Sequence, residues 1–223
     1  MNETVVNRRI ANRGLLLLTA LLCLAALACR TLVGDSLPAG SRTLFQDDFS
    51  RPTSGWNRVS APAGESNYAD GMYRILVNDP NIDIWSLAGR DYSDARIEVD
   101  AYKVGGDRNN RFGIICRAAS PTTFYTLVIS SDGYYGIGII DGPDYRLIGM
   151  DALQPTDAIN QGSALNHIRA DCVGKTLALY VNGVKLAEVT DDRLANGDVG
   201  LIAGTYDVPG VDIRFDNFSV AQP

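Results

Sequence analysis

The sequence predicts an all-β fold, a two-sheet antiparallel β-sandwich, and three observations carry that prediction. Nearly every segment from Leu44 onward alternates apolar and polar residues with a period of two. Short turn signals rich in Gly, Asn and Asp separate these segments, and no window carries a helical stripe. One apolar phase runs through strand after strand, as two sheets sharing a core require.

Ahead of that pattern, Met1 to Gly14 carries Arg8, Arg9 and Arg13 against Glu3, and Leu15 to Ala28 is an uncharged run built largely of Leu and Ala. The run is shorter than the roughly 20 residues of a membrane-spanning helix but suits the hydrophobic region of a secretion signal. It ends in Ala26-Leu27-Ala28-Cys29. Small residues before a cysteine resemble the lipobox of bacterial lipoproteins, although Ala26 and Leu27 stand in the reverse of the usual order. That resemblance implies a signal peptide over 1–28, lipidation at Cys29 and an exported protein held to a membrane, at the cell surface or in the periplasm. Ordinary secretion and an uncleaved anchor are the alternatives.

Residues 29–43, poor in periodicity and containing Pro, Gly and Ser, form a tether, and 44–220 form one domain long enough for a sizeable core. The whole chain has a net charge of −6, with 20 basic and 26 acidic residues. Removing 1–28 takes away three of the former and one of the latter, leaving 17 against 25, a net charge of −8. An acidic exported domain is a poor nucleic-acid binder.

Within the domain, strands are expected over Leu44 to Phe49, Met72 to Val77, Ile82 to Ser86 and Ala95 to Val104. A central meander follows from Arg111 to Met150. Its first strand alternates Phe112, Ile114 and Cys116 with Gly113, Ile115 and Arg117, and its second puts Tyr125, Leu127 and Ile129 on one face. Asp132-Gly133 supplies the positive φ of a tight turn. The third strand sets Tyr135, Ile137 and Ile139 against Tyr134, Gly136 and Gly138, and Asp141-Gly142-Pro143-Asp144 turns into the fourth. One face should build the core; the other, with Arg117, Tyr134 and three glycines, should line a groove.

Asp151 to Ala164 breaks the pattern and is either a crossing between sheets or a rim loop. Further strands are expected over Asn166 to Val173, Thr176 to Val181, Val184 to Val189, Val199 to Ala203 and Val211 to Val220. Asn182-Gly183 is the strongest hairpin signal in the chain. In the last strand the apolar phase slips between Phe215 and Phe218, which predicts a bulge at Asp216-Asn217. Pairing of the first and last strands would close the sandwich.

Of four cysteines, Cys23 lies in the signal and Cys29 is the lipidation candidate. Cys116 and Cys172 each share the phase of their apolar neighbours. In an exported protein these two are expected to pair, stabilising by about 3–4 kcal/mol, the alternative being two buried free thiols. His167, the only histidine, falls on the polar phase of its strand, and no Gly-x-Ser-x-Gly elbow accompanies it.

The opening DDFS followed by GW, the strand RIEVDAY, the FGIICR strand, the RADCVGKTLALYVNG pair and the closing GLIAGT with VDIRFDNFSV resemble the concanavalin A-like lectin/glucanase superfamily. Within it, the chain is similar to the jelly-roll domains near the 3-keto-disaccharide hydrolase and laminin G-like families. The resemblance implies a concanavalin A-like jelly roll and a carbohydrate or glycan partner, but the superfamily mixes binding modules, hydrolases and adhesion domains. Its laminarinase-type enzymes carry Glu-x-Asp-x-Glu on a concave strand; here Glu98 and Asp100 keep the first two positions and Tyr102 replaces the second glutamate.

The expected function is therefore a non-catalytic binding module using the concave sheet. The candidate ligand-binding residues are Trp85, Arg96, Glu98, Asp100, Tyr102, Arg117 and Tyr134, with aromatic faces for sugar rings and polar groups for hydroxyls. A glycoside hydrolase-like enzyme using Glu98 and Asp100, and a structural or protein-interaction domain of the envelope, are the alternatives. Arg96, Glu98, Asp100 and Tyr102 read equally well as a solvated polar face, Trp85 and Trp56 equally well as core, and Tyr206 lies in a rim turn. No cofactor is expected. Calcium, common in the superfamily, would have Asp47, Asp48 and Asp216 as donors, but alternation puts Asp47 and Asp48 on opposite faces and no dense Asp/Asn loop is present.

Overall fold

The computed structural model describes residues 41–223. The signal, Cys29 and most of the tether lie outside the described residues. Sixteen strands follow in order among the described residues: β1 Thr43–Asp47, β2 Val59–Ala61, β3 Gly64–Ala69, β4 Met72–Val77, β5 Asp83–Tyr92, β6 Ala95–Gly105, β7 Asn110–Ser120, β8 Thr123–Ile129, β9 Tyr134–Asp141, β10 Asp144–Leu147, β11 Gln154–Pro155, β12 Leu165–Val173, β13 Thr176–Val181, β14 Val184–Thr190, β15 Gly197–Thr205 and β16 Val211–Ala221.

They form two antiparallel sheets. The nine-stranded sheet runs β14-β13-β12-β6-β16-β4-β3-β2, with β1 added alongside β16, and the seven-stranded sheet runs β10-β9-β8-β7-β15-β5, with β11 on β9. All-β composition and sandwich architecture agree with the period-two reading. The meander occupies β7 to β10 of the seven-stranded sheet, and the segment after it passes through β11 before entering β12 of the other sheet. That segment is therefore a crossing between sheets.

Alternation builds the core. Ile97, Val99 and Ala101 of β6 face Phe112, Ile114 and Cys116 of β7 and Leu127, Ile137 and Ile139 of the meander, all essentially inaccessible. Trp56 joins this core at one end, stacked edge-on to Phe218 and Phe49, and its Nε1 donates to Asp47 Oδ2 at 3.0 Å. A disulfide between Cys116 and Cys172 links β7 to β12, and so one sheet to the other.

The local signals act as expected. Asn182 and Gly183 both take positive φ in the β13–β14 hairpin, and β1 pairs with the C-terminal half of β16. Asn217 has φ +53° where the register between β16 and β6 slips, the bulge that moves Phe218 back into the core. Strands β2, β3 and β11 were not anticipated. GESNYA in β3 shows almost no apolar alternation, because Gly64 and Ser66 occupy its two buried positions.

Candidate functional site

The seven sequence-predicted binding residues do not come together on one surface. Arg96, Glu98, Asp100 and Tyr102 lie on the outer face of β6 in the nine-stranded sheet, whereas Trp85 on β5 and Tyr134 on β9 lie on the outer face of the other sheet. Arg117 is on neither. It is 2% exposed at a bulge with φ +53°, and donates from Nε to Ser93 O at 3.0 Å and from Nη1 to Leu194 O at 3.1 Å. The bulge breaks the alternation that would have pointed Arg117 outward with Gly113 and Ile115.

On the nine-stranded sheet Arg96 and Asp100 are committed to cross-strand partners, whereas Glu98 and Tyr102 make no side-chain hydrogen bond among the described residues. Asp171 accepts from Arg96 Nε at 3.1 Å and Arg169 Nε at 2.9 Å; burial raises its pKa, but the two guanidiniums outweigh that and hold it below the ordinary aspartate value. Asp100 bonds His167 Nδ1 at 2.8 Å and accepts from Asn217 Nδ2 at 2.9 Å. The bond to His167 is the main reason that Asp100 is lowered and His167 is raised. Glu98 lies in register between Arg169 and Ser219. This face is a ladder of cross-strand ion pairs.

The outer face of the seven-stranded sheet differs in chemistry. Ile115, Phe124, Val128, Ile140 and Ile202 form a second buried apolar cluster there, with Trp85, Leu87 and Tyr145 packed on it. The expected glycine groove is filled by the chain's own side chains. A Cβ at Gly138 would lie 2.8 Å from the ring of Tyr145, at Gly136 it would lie 2.5 Å from Leu153, and at Gly204 it would lie 1.9 Å from Asp83 Oδ1. Glycine here makes room for a neighbouring side chain to lie flat on the sheet.

Asp83 and Arg111 meet above Gly204. Arg111 donates from Nε and Nη2 to the two oxygens of Asp83, both at 2.6 Å, and the two side chains are 14% and 10% exposed. Burial opposes the charge on Arg111, but the Asp83 carboxylate overrides it and raises the arginine further above its ordinary pKa. The guanidinium lies 5.1 Å from the ring centroids of both Tyr145 and Tyr206. Burial also pushes the Tyr145 hydroxyl up to about 12. That hydroxyl and the Thr126 hydroxyl, opposite Gly138 in the register, are buried without a hydrogen-bond partner among the described residues. Trp85 stands one alternation along β5 from Asp83, edge-on to Phe124, its Nε1 donating to Pro121 O at 3.0 Å.

The chain aligns with the carbohydrate-binding module CBM66 from Bacillus subtilis at a TM-score of 0.59 and 17% identity, over 74% of this chain and 94% of that one. It aligns with β-agarase A from Zobellia galactanivorans at a TM-score of 0.60 and 13% identity, over 86% and 97%. A Bacillus subtilis protein of unknown function with a galectin-like fold gives 0.59 and 11%, over 81% and 96%. The shared feature is the jelly-roll sandwich. No protein-family model matches the sequence, and no curated protein matches it.

Asp83, Arg111, Tyr145 and Tyr206 were missed as a group by sequence reasoning. Alternation places Asp83 with Trp85 and Arg111 with Gly113, but only the insertion of β15 between β5 and β7 sets Asp83 opposite Arg111. The acids considered for calcium serve the backbone and core. Asp47 accepts from Phe49 N and Trp56 Nε1, Asp48 caps Ser50, and Asp216 accepts from the amide of Asn217. Among the described residues no group of three acidic, His or Cys side chains is placed to hold a metal ion.

Proposed function

We propose that the chain is an exported, lipid-anchored, non-catalytic carbohydrate-binding module whose ligand lies on the outer face of the seven-stranded sheet. The observation that carries this reading is the Asp83–Arg111 pair bordered by the rings of Tyr145, Tyr206 and Trp85. A carboxylate accepts from sugar hydroxyls, a guanidinium donates to them, and aromatic faces cover the C–H face of the ring. Because Asp83 already neutralises Arg111, the site suits a neutral sugar better than an acidic one. The Trp85 bond to Pro121 O fixes the indole before a ligand arrives, which lowers the ordering cost of binding.

Retaining or inverting hydrolysis needs two carboxyl groups flanking the scissile bond. Beside Arg111 this face presents the single carboxylate of Asp83, and Glu98 and Asp100 lie on the opposite sheet. The resemblance of the carbohydrate-handling neighbours in fold adds support to a glycan ligand, and the lipobox-like Ala26-Leu27-Ala28-Cys29 to anchoring.

A glycan array with wild type, Trp85→Ala and Arg96→Ala tests the reading. Binding that is lost in Trp85→Ala and kept in Arg96→Ala places the ligand on the seven-stranded sheet; a wild type that binds no sugar overturns the proposal. Incorporation of labelled lipid by the wild type but not by Cys29→Ala tests the anchor.

A further inference from the structure

At one end of the same face lies a separate recess. Asn109, Ser130, Asp132, Tyr134, Ala152 and Leu153 line a cleft of about 370 Å³, within the size range of small-ligand sites. Tyr134 is 40% exposed, one of the few large apolar side chains that the fold leaves out of its cores. The β8–β9 turn holds Asp132, whose Oδ1 accepts from the Ser130 hydroxyl, while its second oxygen and the Asn109 carboxamide have no partner among the described residues. One ring face, one carboxylate and one carboxamide around an apolar floor supplied by Leu153 is the composition of a sugar subsite.

The three segments that form the cleft are pinned before any ligand binds. Asn110, fully buried, donates from Nδ2 to Asp107 O at 2.7 Å and Ser131 Oγ at 3.1 Å and accepts from Ser131 N, joining the 107–110 loop to the β8–β9 turn. Thr156 N donates to Gly133 O and Gly162 N to Ser131 O, which ties in the crossing segment, and Arg108 donates to Gln161 Oε1 at 3.0 Å.

The cleft is also in line with the Arg111 site. Ser130 N donates to Tyr134 O, so Asp83, Gly204, Arg111, Ser130 and Tyr134 follow one another across β5, β15, β7, β8 and β9. Strands lie about 4.8 Å apart, which puts Tyr134 about 10 Å from Arg111 and about 19 Å from the Trp85 strand. That is the reach of a short oligosaccharide lying across the strands, not of a single ring. We infer that the Tyr134 cleft is a second sugar subsite, and that the domain recognises several consecutive sugar units of a glycan chain running perpendicular to the strands. This inference rests on the carbohydrate reading of the face.

The test uses the full chain in a detergent without a sugar headgroup. Mono- through hexasaccharides of the gluco, galacto, xylo, manno and fructo series are titrated against wild type, Trp85→Ala, Tyr134→Ala and Asp132→Asn. Affinity in the wild type should rise with length, and Tyr134→Ala should bind the longest oligomers about ten-fold more weakly while leaving the shortest ones unchanged. Asp132→Asn should follow the same pattern to a smaller extent. Tyr134 is exposed, so its removal leaves the fold intact. If both variants bind every length as wild type does while Trp85→Ala loses all binding, the cleft is no subsite and the face reading stands. If wild type binds no length in any series, both fall.

Discussion

Arg111 and Asp83 face each other across Gly204, with Nε and Nη2 of the arginine each 2.6 Å from a separate carboxylate oxygen. Gly204 makes the pair possible, because any Cβ there would strike Asp83 Oδ1. Gly204→Ala should therefore push the carboxylate off Arg111 and destabilise the domain by about 1–3 kcal/mol. Asp83→Ala, which leaves a largely buried guanidinium unpaired, should cost about 3 kcal/mol. Urea denaturation measures both, and a Gly204→Ala protein as stable as wild type would mean that the pair is not locked by this contact.

Arg117 is a structural residue in this arrangement. Its guanidinium satisfies the Ser93 and Leu194 carbonyls and lies 3.4 Å from Asp94, toward the end of β7 opposite to Arg111. Arg117→Met should lower unfolding free energy by about 2–3 kcal/mol and leave glycan affinity unchanged. Loss of binding in a variant that keeps wild-type stability would reverse this assignment.

The Cys116–Cys172 bridge spans a separation of 56 residues and crosses the core. Replacing both cysteines with alanine should reduce stability by about 3–4 kcal/mol. Intact mass before and after alkylation, with and without reductant, reports whether the bridge forms; alkylation of both thiols without reductant would show that it does not.

His167 and Asp100 give the nine-stranded sheet a pH dependence. The bond to Asp100 raises His167 above 6.5, so its stabilisation is complete below that value and fades as pH rises through the raised pKa. The same bond lowers Asp100 below 3.8, so its contribution is complete above that value and is lost as pH falls through the lowered one. The pair is fully effective between about pH 4 and pH 6.5. His167 is the only histidine, so one NMR resonance reports it. Its midpoint should lie above 6.5 in wild type and fall back in Asp100→Asn; an identical midpoint in the two proteins would remove Asp100 as the cause.

Much of the fold could be read from residue order because its determinants are local. Asn182-Gly183 needs only two residues to specify a hairpin, and the slip from Phe215 to Phe218 needs only four to specify a bulge. The phase of Cys116 and Cys172 turned both inward, and the structure joins them. The site was less legible, since alternation assigns a face within one strand but does not say which sheet that strand joins. Glu98 and Tyr134 both read as outward polar positions, and the chain puts them on opposite sides of the sandwich. At Arg117 even the face was misread, because a bulge turned the side chain inward.

By itself, then, the sequence determined the period-two pattern, the turns and the closing bulge, all set by steric and hydrophobic preferences over a few residues. Only the tertiary structure decided which strands became neighbours. Placing β15 between β5 and β7 brought Asp83 to Arg111 across Gly204, and folding β10 back over β9 laid Tyr145 on Gly138. The Asp83–Gly204–Arg111 contact joins residues far apart in the chain, and its partners are selected by the packing of whole sheets rather than by any local signal.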